Sequence, residues 1–470
     1  MICMLPVLRC FFWTTVVAHC PRQSSAFSSL SHKSRNGSKN IPTIIITITT
    51  TTTMMDFDLA TALRDNVAAV LLLPLALAIG WLAVAFNKPP AKDAPVKSTA
   101  GILESVRMLA SSESPWWHLQ LQESLGSSIF QHNIPVPGGM YVLCSAKDQR
   151  EVLLDEYADK PIAVYGNIDS ITGRTQMGTR STLDPRTKPM RKAVEHSFSS
   201  AEVNRMNSIC MKYAKQWETD FLEKLADTDA TFDPSIELPK VVFKSIMEAA
   251  LEYESTPEDY DFFASNYEVA AREFTFRQSV NPLRKVFGFM IPEVWAARNC
   301  CSALQDFVKK ILTAYRENPN KSEHNTLIKA VESNPYDMSE EDRVAELLIL
   351  LIAGFDTTGY TIAITLVLLA KHPKEMRDLR QSLLQGDPAQ SKDHLKRVIT
   401  ESQRLLPVAG VGPLRLINRD FIFRDESSNR NVKIPNGATL ILPQFASHRD
   451  EAVFEDATQF KPDRWENPTK

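Results

Sequence analysis

The residues best suited to chemistry sit together in one apolar stretch: Ala353, Gly354, Phe355, Asp356, Thr357 and Thr358. Asp356 is an acid and Thr357 an alcohol, side by side. Such a pair can pass protons through water to a bound group that consumes them. Ala353 and Gly354 have almost no side chain, so a flat ligand can approach the backbone there. The Thr357 hydroxyl can bond the carbonyl one turn back or a ligand, and such bonding bends helices. A second constellation lies downstream. Glu401 and Arg404 are three apart, so on a helix they share one face. Leu405-Leu406-Pro407, Arg415, Ile434-Pro435-Asn436-Gly437, His448-Arg449-Asp450 and Phe460-Lys461-Pro462-Asp463-Arg464-Trp465 follow in that order.

The element carrying Asp356 reads as one long helix. Ser339 is a credible N-cap, and Asp342 three residues later completes a capping-box pattern. A mostly apolar stretch runs over residues 344–370. Lys371 and His372 suit the negative end of the helix dipole, and Pro373 ends the helix. Roughly 30 residues give a rod of about 45 Å. It is apolar nearly all round, so it either runs buried through a domain or crosses a membrane. An acid at mid-span is costly in lipid, which favours the buried reading. Glu401 and Arg404 alone carry no information, because helices present that spacing by chance as a surface ion pair.

Taken in order and spacing, these strings resemble the cytochrome P450 family over about residues 100–470. The resemblance implies a mainly α fold with small β sheets, built on a long central helix. It makes Ala353 and Gly354 part of the oxygen-binding groove beside haem b, with Asp356 and Thr357 as the acid and the alcohol. It makes Glu401, Arg404 and Arg464 a buried, structural ion-pair core. It offers Arg415 and Arg191 as clamps for the haem propionates, since planar bidentate donors suit carboxylates. Arg191 matches the arginine of the family's W-x-x-x-R helix, although Thr187 stands at the tryptophan position. Either arginine is otherwise a solvent-exposed side chain, as arginines usually are.

The activity implied is insertion of one oxygen atom of O2 into an apolar small molecule. Electrons would come from NADPH through a reductase. Arg377, Arg380, Lys392, Lys396 and Arg397 could dock that acidic partner, or form a merely solvated basic face. The family's F-x-x-G-x-R-x-C-x-G loop does not occur in the 470 residues. The seven cysteines (Cys3, Cys10, Cys20, Cys144, Cys210, Cys300 and Cys301) all precede Glu401. No metal ligand is therefore assigned, and the chain as written is expected not to form a thiolate-ligated haem. The rival reading is a non-catalytic, C-terminally truncated remnant, or a membrane-bound binder of apolar ligands without haem.

The remaining sequence bounds the setting. A formal net charge of -3 gives no global field for nucleic acid. No cysteine pair has zinc or redox spacing, which reads as reduced thiols in a cytosol-facing domain. Cys300 and Cys301 read as helix packing. Residues 1–55 include a threonine run and read as a low-complexity or targeting segment. An over-extended start before Met54 or Met55 explains them equally well. Residues 67–86 are uncharged and long enough to span about 30 Å of bilayer core. Asp56, Asp58 and Asp65 precede them and Lys88, Lys92 and Lys97 follow. That asymmetry places the C-terminal domain on the cytosolic side of a single-pass anchor, in the endoplasmic reticulum or, if the leader is a transit peptide, a plastid. Residues 87–100 read as a proline-rich linker and 101–470 as the domain. A strand is expected over 140–143. Helical spacing covers 146–157, 190–197, 201–225, 240–251, 257–271 and 295–315.

Overall fold

The computed structural model describes residues 93–466, apart from 227, 229, 282, 319–322, 334–336 and 427. The leader and the anchor at 67–86 lie outside the described residues. The described chain is mainly α-helical with two small sheets.

Its axis is the helix Glu340–Lys371, 32 residues long. The helix starts on a reciprocal cap. Ser339 Oγ accepts from the Asp342 amide at 3.2 Å, and Asp342 accepts from the Ser339 amide at 3.1 Å. Three acids in the first turn suit the positive end of the dipole. Among the described residues this is the one helix long and apolar enough to cross a membrane, yet most of it is buried inside the domain. Burial here comes from neighbouring helices, so an all-round apolar surface needs no lipid.

The helix Pro234–Leu251 crosses this axis at close range. Two glycines on the central helix permit the approach. A Cβ on Gly359 would lie 2.9 Å from Pro239 Cα, and one on Gly354 would lie 2.8 Å from Ile246 Cδ1. Phe355, between them, packs into the same crossing. Its ring meets Phe243 edge-on at 5.6 Å and Phe263 at 5.7 Å. Phe263 comes from the helix Pro257–Ala271, and the helix Pro292–Glu317 adds Phe307 at 5.9 Å from Phe263. Each edge-to-face pair adds about 0.5–1.5 kcal/mol beyond area burial.

The main sheet has six strands. They are β1 (Val96–Lys97), β2 (Ile129–His132), β3 (Met140–Leu143), β4 (Ala158–Asp159), β5 (Leu414–Ile417) and β8 (Thr439–Ile441), in the order β1-β2-β3-β8-β5-β4. β3 and β8 run parallel, with Tyr141 opposite Leu440, so the sheet joins the two ends of the domain. β6 (Phe421–Asp425) and β7 (Arg430–Ile434) form a separate hairpin. In β6, Phe421, Phe423 and Asp425 are buried and the residues between are exposed, as period-two alternation requires.

Several boundaries differ from the sequence expectation. The linker does not extend to residue 100: Val96–Lys97 pairs in parallel with β2, and Ala100 is buried. Extended backbone after Pro95 suits an edge strand as well as a linker, and only β2, 33 residues on, decides between them. The helix expected from 240 begins at Pro234, capped by Asp233, and runs through Pro239. That proline lies in the second turn and presses against Gly359, so packing offsets its missing donor. The expected 201–225 helix changes to a π-helical turn at Glu218–Leu222. The helix expected to reach residue 157 ends at Leu154.

One buried polar contact ties the helix Ser114–Leu125 to β2. His118 Nε2 and His132 Nε2 lie 3.1 Å apart, and both residues are fully enclosed. The Trp117 ring stacks on His132 at 4.9 Å. Burial lowers His132 to about 4, and burial with the neighbouring imidazole lowers His118. Both rings are neutral, so one Nε2 donates and the other accepts.

Two predictions follow from these contacts. Gly359→Ala should destabilise the chain by about 1–3 kcal/mol, because backbone must move. Gly354→Ala meets only the flexible end of Ile246, and Ala gains about 1 kcal/mol of helix propensity, so its net change should be near zero. Urea unfolding would measure both, and equal effects would contradict the crossing described. The histidine pair predicts an acid limb. Unfolded histidines take up protons near pH 6.5, whereas His132 in the fold does so near 4. Stability should be full above about pH 6.5 and decline by about 3 kcal/mol toward pH 4. His132→Gln should flatten that decline in a pH series of unfolding midpoints.

Candidate functional site

The helix Pro388–Leu405 begins on Asp387, which accepts from the Ala389 and Gln390 amides. Its last turn presents Glu401 and Arg404 to the interior, where Glu401 is wholly buried. Arg404 bonds Glu401 through two parallel hydrogen bonds of 2.9 Å, Nε to Oε2 and Nη2 to Oε1. Arg464, on the short helix Pro462–Trp465, donates from Nε to Oε1 at 3.0 Å. The structure thus brings together the three members expected from the sequence. It adds two donors that sequence reasoning missed: the Lys461 amide at 2.9 Å and Trp465 Nε1 at 3.0 Å. The signal for the second was its place beside Arg464. Burial would raise the Glu401 carboxyl, but the bonds from Arg404, Lys461 and Trp465 hold it below the usual carboxylate range. Arg404 also donates to the carbonyls of His448, Ala457 and Gln459 at 2.6–3.0 Å.

Arg191 and Arg415 come from distant elements, the helix Thr187–Glu195 and β5, yet line one cavity of about 440 Å³. Lys160 and Glu195 share its wall. Lys160 Nζ donates to the Met177 and Arg180 carbonyls at 2.8 and 3.0 Å, so it holds the loop before the Arg191 helix. Arg415 Nη1 donates to the Leu414 carbonyl at 2.8 Å. Arg191 is exposed and Arg415 is half-buried.

Ala353, Gly354, Asp356 and Thr357 do not line this cavity. At Gly354 the missing side chain makes room for Ile246 of the crossing helix. Asp356 is buried within the fold, while Ala353 and Thr357 are half-buried. Thr357 Oγ1 donates to the Ala353 carbonyl at 2.7 Å, and Thr361 and Thr365 repeat the pattern one and two turns on. Thr358, Ile362 and Leu366 form an exposed stripe on the same helix. Of the five basic residues on the possible docking face, Arg397 pairs with Asp393 and Glu466, while Arg377, Arg380, Lys392 and Lys396 are exposed.

Sequence reasoning also missed a buried pair that ties the central helix to the cavity. Glu346 accepts from Arg180 Nη2 and from the Met177 amide, both at 3.0 Å. Burial raises its carboxyl, opposed by that amide and by Arg180. The partners stand 166 positions apart, beyond any local pattern. The four described cysteines are free. Burial pushes all of their thiols up, Cys301 to about 12, so they rest protonated at neutral pH.

This arrangement has close counterparts. The sequence profile described as Cytochrome P450 matches residues 120–470. The chain is 33% identical over 158 residues to "Cytochrome P450 302a1, mitochondrial" of Drosophila melanogaster, covering 31% of this chain and 30% of that protein. It is 26% identical over 174 residues to "Cytochrome P450 3A41" of Mus musculus, covering 35% and 31%. These alignments span about a third of the curated relatives' length. Among solved structures, the cytochrome P450DA heme domain superposes with a TM-score of 0.63 at 17% identity, covering 80% of this chain and 82% of that one. Retinoic acid bound cyanobacterial CYP120A1 gives 0.61 at 17% identity, with the same coverage. The chain belongs to the cytochrome P450 family, and its fold is that family's mostly helical fold with small sheets.

Removing any one charge from the Glu401 cluster should unfold the chain readily. Glu401→Ala or Arg404→Ala should each cost about 3–5 kcal/mol, because the remaining charge is left buried and unpaired. The Arg404→Ala/Arg464→Ala double variant should depart from additivity by about 0.5–3 kcal/mol. Additive losses below about 0.5 kcal/mol in urea unfolding would mark these as ordinary surface charges.

Proposed function

We propose that this chain is of the haem-thiolate monooxygenase lineage, membrane-anchored and directed at an apolar small molecule, with haem b held partly by Arg191 and Arg415 and no thiolate ligand assigned among its 470 residues. The observation that carries this reading is the convergence of those two arginines on one cavity from elements more than 200 residues apart. Neither has a carboxylate partner among the described residues, and guanidinium groups suit propionates. When bound, the haem supplies O2 activation and transfer of one oxygen atom, with electrons from a NADPH-dependent reductase.

The chain's own residues divide the remaining work. Arg191 and Arg415 hold anionic groups at the cavity edge. Thr357 spends its one proton on the Ala353 carbonyl, so its oxygen acts as an acceptor that can orient water. Asp356, one residue away and buried, is the acid that supplies protons to that water. Arg377, Arg380, Lys392 and Lys396 form the basic face for an acidic electron donor. The anchor at 67–86 keeps the domain at a membrane, where apolar substrates concentrate.

Haem titration tests the reading. Absorbance changes on adding haemin to the full chain give an affinity. Arg191→Leu with Arg415→Leu should weaken it by about 10- to 100-fold, at roughly 1.4 kcal/mol for each lost charged contact, while urea stability stays close to wild type. Unchanged affinity would remove the arginines from this role. No saturable haem binding at all would leave the binder of apolar ligands as the better description.

A further inference from the structure

A second cavity, of about 370 Å³, lies beyond Tyr165. Its wall is largely apolar, with Val106, Ile134, Val164, Phe276 and Leu414 among its lining. That size suits a small organic molecule. The lining includes a single charged side chain, Lys285. It belongs to the short helix Leu283–Val286 and is exposed, so the charge stands at the cavity mouth.

The Lys285 ammonium is held in place by a directed chain of hydrogen bonds. Lys285 Nζ donates to Asn167 Oδ1 at 2.5 Å. Asn167 is buried, and its Nδ2 donates to Ser279 Oγ at 3.0 Å. Ser279 in turn spends its only proton on the Thr275 carbonyl at 2.8 Å. With its proton committed there, Ser279 can only accept from Asn167. The amide orientation is thereby fixed, with its oxygen toward Lys285. Thr275 and Phe276 reach the cavity from the π-helical turn Arg272–Arg277, and such turns recur at functional sites.

No acid neutralises this lysine among the described residues. Glu273, in that π-helical turn, is already taken by Arg284 through two bonds of 2.9 and 2.8 Å, with Arg277 at 3.7 Å. An ammonium has three donors, and the bond to Asn167 uses one. An apolar chamber with one positioned cation at its mouth is complementary to an apolar chain ending in an anion.

We infer that the second cavity binds an apolar carboxylic acid, with Lys285, oriented by Asn167, reading the carboxylate and the apolar wall taking the chain. This rests on the oxygenase reading and names the class of substrate that it would accept. Lys285 acts as a specificity residue, favouring acids over their esters or alcohols.

Equilibrium dialysis of the full chain against dodecanoate and methyl dodecanoate tests this. In the wild type the acid should bind about tenfold tighter than the ester, as one charge-assisted contact allows. Added salt should narrow the gap. Lys285→Met should abolish the preference and leave the ester's affinity unchanged, while Lys285→Arg should retain it. Equal binding of acid and ester by the wild type, or a preference that survives in Lys285→Met, would overturn the inference. Failure of both probes to bind would overturn it too. Haem titration on the same preparation reads the parent proposal separately, so failure of one is distinguishable from failure of the other.

Discussion

The described C-terminal segment hangs on one buried carboxylate. Glu401 sits in an interior that would ordinarily protonate an acid, and it stays charged because five donor groups converge on it: two from Arg404, one from Arg464, the Lys461 amide and the Trp465 indole. Charges in low dielectric repay their desolvation only when geometry and additional hydrogen bonds are good. Here they are, and the result is specificity of position. Arg404 continues outward to the carbonyls of Ala457 and Gln459, so a segment with few regular hydrogen bonds of its own is fastened to a helix. An apolar replacement of similar volume could match the energy, but it could not bind that many backbone carbonyls in one arrangement.

The central helix imposes a different constraint. It must carry polar groups at mid-length and still be crossed closely by a second helix. Gly354 and Gly359 meet the second demand, and Phe355 between them anchors the crossing in a cluster of aromatic rings. The ladder of Thr357, Thr361 and Thr365 returns each hydroxyl to a carbonyl one turn back. Those hydroxyls are thereby satisfied as donors while their lone pairs stay available. The two glycines thus permit the close crossing, and Asp356 and Thr357 are the polar groups beside them.

How much of this was legible in the sequence depended on the range of each interaction. The cap at Ser339, the helix 257–271 and the strand 140–143 were readable because capping and periodicity are local. Glu401, Arg404 and Arg464 were readable only because a family pattern marks all three, since their spacing alone says nothing. The packing role of Gly354 was not legible, because the sequence reveals a missing side chain but not which neighbour lies against it. Arg180 with Glu346, and the two imidazoles of His118 and His132, left no trace. Their partners are set by tertiary packing. The early strand Val96–Lys97 was hidden for the same reason, because two residues acquire strand character only from the neighbour they pair with.

Tyr165 explains how the two cavities relate. It lies on the helix Ile162–Thr172 and lines both of them, so one aromatic ring forms part of their common wall. Its hydroxyl accepts from the Leu414 amide at 3.1 Å and faces the Leu414 carbonyl at 3.3 Å. Leu414 lines the second cavity, and Arg415, the next residue, lines the first. Along a strand successive side chains point to opposite faces, so β5 serves one chamber with an apolar residue and the other with a guanidinium. The Leu414 carbonyl also accepts from Arg415 Nη1 at 2.8 Å. A ligand that displaced the Tyr165 ring from the second cavity would therefore disturb the backbone group that steadies Arg415 in the first. The wall that separates the chambers is also a direct mechanical link between them.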